Sequence, residues 1–143
     1  VAQTGVAHVN HFYRAIMSAN EYPGPAVVNV YAPCQPEHGI ADDASVAQSQ
    51  RAVESRAFPL LVYDPRKGER LKERLSLQGN PAQKEDWYRL PNGETYDFVA
   101  FARTECRFRG QYDADGQHTP EQLAAQQHRL KNFRLLQELA GLR

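Results

Sequence analysis

Tyr22-Pro23-Gly24-Pro25-Ala26-Val27-Val28-Asn29-Val30-Tyr31-Ala32-Pro33-Cys34 is the stretch whose reading decides the fold class. Two prolines around a glycine cannot continue a helix and set a turn. The run Ala26 to Ala32 is valine-rich and apolar but for Asn29, the composition expected of a central parallel strand covered on both faces. Cys34 then stands at the C-terminal end of that strand, where open α/β sheets form the crevice that binds ligands and cofactors.

Upstream, His8 to Asn20 carries Phe12, Ala15, Ile16 and Ala19 at helical spacing, which predicts a helix with one buried stripe. Val1 to Gly5 reads as the tail of a strand entering a loop, and with no initiator Met the chain is expected to begin inside a fold. Downstream, Asp42-Asp43-Ala44-Ser45 can cap a helix that buries Ala44, Val46, Ala47, Ala52 and Val53 and ends near Ala57. Pro59 to Tyr63 is a second strand closed by Asp64-Pro65. Strand, helix, strand of this length predicts a right-handed crossover joining parallel strands.

These readings divide the chain into an α/β core with two strands over residues 1–66 and a loop and helical arm over residues 67–143. Arg66 to Arg74 is strongly charged and fits a solvated turn plus a short helix. Gln78 to Gly93, with Pro81, Pro91 and two glycines, predicts a loop with a short extended piece at Trp87-Tyr88. Tyr96 to Phe108 has Phe98, Phe101, Ala102 and Glu105 at helical spacing. Thr119-Pro120-Glu121-Gln122 has the N-cap, N1 proline and early acid of a final helix that runs to about Leu139. Its Leu123, Ala124, Leu130, Phe133, Leu136 and Leu139 can pack on this domain or on another subunit, and the sequence leaves that open.

The 143 residues suit a piece of one domain, and 17 basic residues balance 17 acidic ones, so nothing points to nucleic acid or an anionic membrane surface. No apolar run approaches the roughly 20 residues of a membrane-spanning helix. The N-terminus lacks the pattern of a secretory signal. Two cysteines are too few for a disulfide framework and suit a reducing, cytoplasmic setting. Nucleophile elbow, phosphate-binding glycine loop and dinucleotide fingerprint are all absent.

Taken with Phe58-Pro59-Leu60-Leu61-Val62-Tyr63-Asp64-Pro65-Arg66, the opening stretch resembles the C-terminal part of the thiamine-diphosphate-binding domain of pyruvate:ferredoxin oxidoreductase and related 2-oxoacid:acceptor oxidoreductases. The order of segments is the family's: helix, Pro-Gly-Pro turn, apolar strand ending in cysteine, helix, and an aromatic-Pro-Leu strand ending in Tyr-Asp-Pro-Arg. Where the family has a Pro-Cys-Ile-Ala-His-Gly type of sequence, this chain has Pro33-Cys34-Gln35-Pro36-Glu37-His38-Gly39, which is longer and more polar. Beyond Leu71 only scattered positions match, among them Leu75, Leu77, Phe108 and the helical tail.

The resemblance implies a partial thiamine-diphosphate-binding fold of class α/β, with parallel strands, flanking helices and a C-terminal helical arm, and with the upstream cofactor-binding part missing. It implies an enzyme that oxidatively decarboxylates a 2-oxoacid to an acyl-CoA and passes electrons through [4Fe-4S] clusters to ferredoxin or flavodoxin. Thiamine diphosphate, Mg²⁺ and the clusters would be its cofactors; the 2-oxoacid, coenzyme A, the electron acceptor and the remainder of the same enzyme would be its partners, in a homo-oligomer. Cys34 takes the place of the last thiolate on the cluster nearest the thiamine diphosphate. No catalytic or thiamine-binding residue is assigned here, because Gly-Asp-Gly is absent and the nearest carboxylates, Asp42-Asp43 and Asp113-Ala114-Asp115-Gly116, fit helix-start or loop positions.

Other readings stand beside these. Cys34 can be a buried structural thiol, and the chain a non-catalytic module that completes a thiamine-type domain or a dimer interface. Cys106 reads as a packed or half-exposed helix residue. His38 reads as a loop histidine bonded to backbone, or as a donor towards a sulfur. Arg51, Arg56, Arg66, Lys67, Arg70, Lys72 and Arg74 can form a patch that steers an acidic ferredoxin, but the interleaved Glu69 and Glu73 fit a solvated surface.

Overall fold

The computed structural model describes residues 1–143. Strand β1 (Ala2–Gly5) leads into helix α1 (Val9–Asn20), and the Pro23-Gly24-Pro25 turn returns the chain to β2 (Val28–Tyr31). The two strands pair in parallel, Ala2 opposite Val28 and Gly5 opposite Tyr31. A short helix α2 (Gln35–His38) and helix α3 (Ser45–Glu54) follow, then β3 (Leu61–Tyr63), a 3₁₀ turn at Pro65–Lys67, helix α4 (Leu71–Arg74) and β4 (Leu75–Ser76). The sheet order is β2-β1-β3-β4. It is a mixed α/β sheet containing a parallel pair, with flanking helices and a C-terminal helix, the expected class.

Two expectations about the strands are corrected. The predicted parallel crossover between the strands at Ala26–Ala32 and Pro59–Tyr63 does not form, because β3 pairs antiparallel with β1, Ala2 opposite Val62 and Gln3 opposite Leu61. The cause is where α3 lies. Its Ser49 hydroxyl accepts the Ala7 N–H at 3.2 Å, just beyond the C-terminal end of β1, so the helix sits across the strand ends and the chain enters β3 from that same end. The parallel connection is instead the one through α1. Nor is β2 central: it is the edge of the sheet, half-exposed, with Val27 60% exposed beside it. The central place beside β2 belongs to β1, whose Ala2, Thr4 and Gly5 are buried.

Helix α3 also differs from the expected amphipathic pattern. Its N-cap is Ala44, with no side-chain cap from Asp42 or Asp43. Val46 is 62% exposed and Ala47 is exposed, whereas Gln48 and Ser49 are buried with Ala52 and Val53. A helix laid over strand ends meets orphan polar groups, so polar side chains belong on its inner face. It ends at Glu54 because Arg56 turns the chain with φ 60°.

Residues 67–143 thus give β4 to the main sheet and continue with a loop fastened by buried polar side chains and a hairpin of β5 (Tyr88–Arg89) and β6 (Thr95–Tyr96). The Asn80 amide nitrogen donates to Leu60 O and Leu77 O, both at 2.7 Å, and its oxygen accepts the Leu60 N–H at 2.9 Å. The single helix predicted over Tyr96 to Phe108 is broken. Helix α5 (Phe98–Ala102) is capped by the Asp97 carboxylate, which accepts the Ala100 N–H at 2.9 Å. Thr104 Oγ1 then donates back to Phe101 O at 2.6 Å, Glu105 is extended, and a 3₁₀ segment covers Cys106–Gln111. A hydroxyl bonded to the last turn competes with helix continuation.

Helix α6 (Pro120–Leu139) opens as expected, with Thr119 as N-cap and Pro120 in its first turn. It packs on this domain through buried Leu130 and Phe133, while Leu123 and Leu135 are 47% and 52% exposed. Ala52, Phe98 and Phe101 form the central apolar cluster beneath it, with Tyr31, Phe58, Trp87 and Phe108 around them.

Candidate functional site around Cys34

Pro33 is buried and ends β2, and Cys34 follows with extended backbone (φ −88°, ψ 120°) as the N-cap of α2. Its thiol is free, exposed and makes no capping bond, so it is not a packed core cysteine. The Cys34 carbonyl accepts the His38 N–H at 2.9 Å, and Gly39, at φ 62°, closes the turn. A Cβ at Gly39 would stand 2.3 Å from the Cβ of Cys106, so glycine is required there twice over, by conformation and by contact. Cys106 itself is exposed and opens the 3₁₀ segment instead of lying within a helix.

Beside this turn lies a buried carboxylate. Glu105 is 2% exposed and collects groups from four parts of the chain. Tyr31 Oη donates to its Oε1 at 2.5 Å, Gln48 Nε2 donates to the same oxygen at 2.9 Å, and Arg107 Nε donates to Oε2. His38 Nδ1 stands 3.7 Å from Oε1 and has no hydrogen-bond partner of its own, so the side chain of this histidine is not tied to backbone. The His38 ring stacks on Tyr31 with centroids 5.8 Å apart, and Phe58 meets the Tyr31 ring at 5.4 Å. Burial, then the hydrogen bond to Glu105 and its negative charge, push the Tyr31 phenol well above its usual range, so it remains a donor. Glu37, the sequence neighbour of His38, is exposed and bonded to none of these groups.

Sequence reading found Cys34 and His38 but missed Tyr31, Gln48 and Glu105 as a group. The one available signal was an acid in the largely apolar segment Tyr96 to Phe108.

A second feature is an open cleft of about 770 Å³ between α1 and the β3–β4 side of the sheet, lined by His8, His11, Arg14 and Lys67 with no carboxylate. Burial lowers the pKa of both histidines, and in His11 the charges of His8 and Arg14 add to the effect. His11 Nδ1 is 3.0 Å from Thr4 Oγ1.

The proposed basic patch is not formed as a unit. Arg56 is 1% exposed and donates to the carbonyls of Pro81, Ala82 and Asp86, Arg66 pairs with Asp64 at 2.9 Å, and Arg74 donates to Gly68 O at 2.6 Å.

Nothing here matches the hard oxygen set that magnesium and a diphosphate need. Asp42 and Asp43 are exposed on a turn, Asp113 Oδ1 is occupied by the Asp115 and Gln117 N–H groups, and no cluster of three or more His, Cys, Asp or Glu is placed around a metal position. The residues of this chain therefore do not fit a thiamine diphosphate site. Cys34 does fit one role at an iron–sulfur cluster, as a single exposed thiolate donor with no competing bond. No helix is long and apolar enough to cross a membrane.

No protein-family model matches the chain. It is 35% identical over 82 residues to the probable pyruvate-flavodoxin oxidoreductase of Escherichia coli K12, covering 57% of this chain and 7% of that protein. It is 30% identical over 134 residues to the pyruvate-flavodoxin oxidoreductase of Rhodospirillum rubrum, covering 93% and 10%. The ketoisovalerate oxidoreductase subunit VorB of Pyrococcus horikoshii is 30% identical over 89 residues, covering 54% and 29%. The chain thus spans no more than 10% of the two pyruvate enzymes and 29% of the VorB subunit.

Proposed function

From a chain homologous to one segment of the pyruvate and 2-oxoacid oxidoreductases, we propose that it is the C-terminal portion of the thiamine-diphosphate-binding domain of such an enzyme. The enzyme would oxidatively decarboxylate a 2-oxoacid, form an acyl-CoA and deliver the electrons through [4Fe-4S] clusters to ferredoxin or flavodoxin. Thiamine diphosphate, when bound elsewhere in that enzyme, supplies the electron sink for decarboxylation. The contribution of these residues is different: Cys34 provides one thiolate to the proximal cluster, at the end of β2.

The observation that carries this reading is the position of Cys34, its thiol exposed and unbonded at the end of the parallel pair, within a sequence that keeps its similarity to the Rhodospirillum rubrum enzyme over 134 residues. The open edge of β2, with Val27 60% exposed, supports the companion reading that the chain completes a larger sheet or a subunit contact. With no group of three or more ligating side chains gathered among these residues, the isolated chain is expected to have no turnover.

Cys34→Ser in the full-length protein that carries this chain tests the proposal. Loss of about four irons per site and of the corresponding electron paramagnetic resonance signal is expected, with 2-oxoacid binding retained. Unchanged iron content and an unchanged spectrum would refute the assignment.

A further inference from the structure

Cys34 lies in sequence between two aromatic rings that stack on each other, and both rings face the same buried carboxylate. Tyr31 leaves β2 just before the cysteine, and His38 closes α2 just after it. We propose that Glu105 is a positioning residue that clasps the Cys34 turn through the Tyr31 hydroxyl, on whose ring His38 stacks, and so fixes the direction in which the thiol leaves the sheet. The part of this inference that concerns a cluster rests on the reading above; the clasp itself does not.

Three observations carry it. First, Glu105 is a carboxylate buried to 2% exposure, and the cost of desolvating it is offset only while its donors stay in place, so it holds them as they hold it. Second, its hydrogen-bond partners come from β2, α3 and the 3₁₀ segment, and the His38 ring of α2 lies beside it. Gln48 also holds Thr104, its Nε2 donating to Oγ1 at 2.8 Å, so the carboxylate is itself fixed from α3. Third, the turn has few other ties: Gln35 Nε2 donates to Ser45 Oγ at 2.6 Å and more weakly to Asp42 O, and Gly39 rests on Cys106. None of those other ties reaches the β2 side of the cysteine. Tyr31 supplies that side, and its hydrogen bond to a carboxylate is of the short, charge-assisted kind that holds direction as well as distance.

The test uses the full-length protein and two conservative variants, Tyr31→Phe, which keeps both ring contacts and deletes only the hydroxyl, and Glu105→Gln, which keeps the shape and deletes the charge. Hydrogen–deuterium exchange is read for the peptide covering residues 32–40, whose His38 and Ile40 amides donate to Cys34 O and Gln35 O. Exchange there is expected to accelerate by about tenfold or more in both variants, with β1 and β3 unchanged, which is the population of open turn that a lost charge-assisted bond releases. A cluster on Cys34 is expected to show shifted g-values at unchanged iron content. If Glu105→Gln accelerates exchange throughout the chain, it has unfolded, and Tyr31→Phe alone decides. Exchange of residues 32–40 within twofold of the parent in Tyr31→Phe overturns the clasp. Faster exchange with no change in g-values retains the clasp and removes the cluster from Cys34, which separates failure of this inference from failure of the functional reading.

Discussion

Replacing Arg56 with methionine is expected to destabilise the fold by about 4 kcal/mol, because this guanidinium is the bolt between the sheet and the arm. The side chain is 1% exposed, lies 4.1 Å over the Phe133 ring and donates to Pro81 O and Ala82 O at 2.9 Å and to Asp86 O at 3.2 Å. Hydrogen bonds from a charged donor contribute about 1.5–3 kcal/mol each, so three of them are worth about 4.5–9 kcal/mol. Against this stands the desolvation of the cation. Burial draws the Arg56 pKa from 12.5 to about 10, a penalty of about 3 kcal/mol at 1.36 kcal/mol per unit. The contact with the aromatic face returns about 1 kcal/mol, and methionine recovers the packing of the aliphatic stem. The net loss of about 4 kcal/mol corresponds to a fall in melting temperature of about 13 °C for a domain of this size. Thermal and urea unfolding followed by circular dichroism measure it. Arg56→Lys is expected to fall between, since one ammonium cannot reach carbonyls arranged for a fork. A loss below about 1 kcal/mol for methionine, or a lysine variant as stable as the parent, would show that the fork does not hold the arm.

Gly39→Ala should destabilise by about 2 kcal/mol through its left-handed backbone and its collision with Cys106, and Cys106→Gly in the same chain should recover only the collision. Equal loss with and without the second change would refute the contact. The hydrogen bond from Arg66 holds the Asp64 carboxyl at about 2, below its ordinary 3.8, so its stabilisation is complete above pH 3.8 and is lost as pH falls through 2. Asp64→Asn should therefore flatten the acid limb of a urea-midpoint profile between those values; a parallel profile contradicts the pairing. Thr119→Ala removes the N-cap of α6 and should cost about 1 kcal/mol, read as a shift in urea midpoint at constant slope.

Much of this protein is legible from local pattern. The Pro-Gly-Pro turn, the valine run, the Thr119-Pro120 start and the helix before Asn20 are encoded by residues whose backbone preferences act over a few positions, and each is found where it was read. Cys34 was locatable for the same reason, since a strand end is marked by Pro33 and the site follows from the strand. What escaped was the partnership of distant segments. That β1 would take the centre of the sheet and β3 run against it depends on where α3 comes to rest, which no spacing within α3 records. Its buried Gln48 and Ser49 break the apolar pattern because their partners are strand ends and Glu105, far along the chain. Likewise Arg56 reads as one more surface cation until the loop at Pro81 to Asp86 folds its carbonyls around it. The sequence by itself determined the helix before Asn20, the strand before Cys34 and the start of the last helix, because those rest on local free energies; only the tertiary structure decided strand order, the break after Ala102 and the Glu105 cluster, because buried polar groups are satisfied by whichever distant atoms the packed chain brings to them.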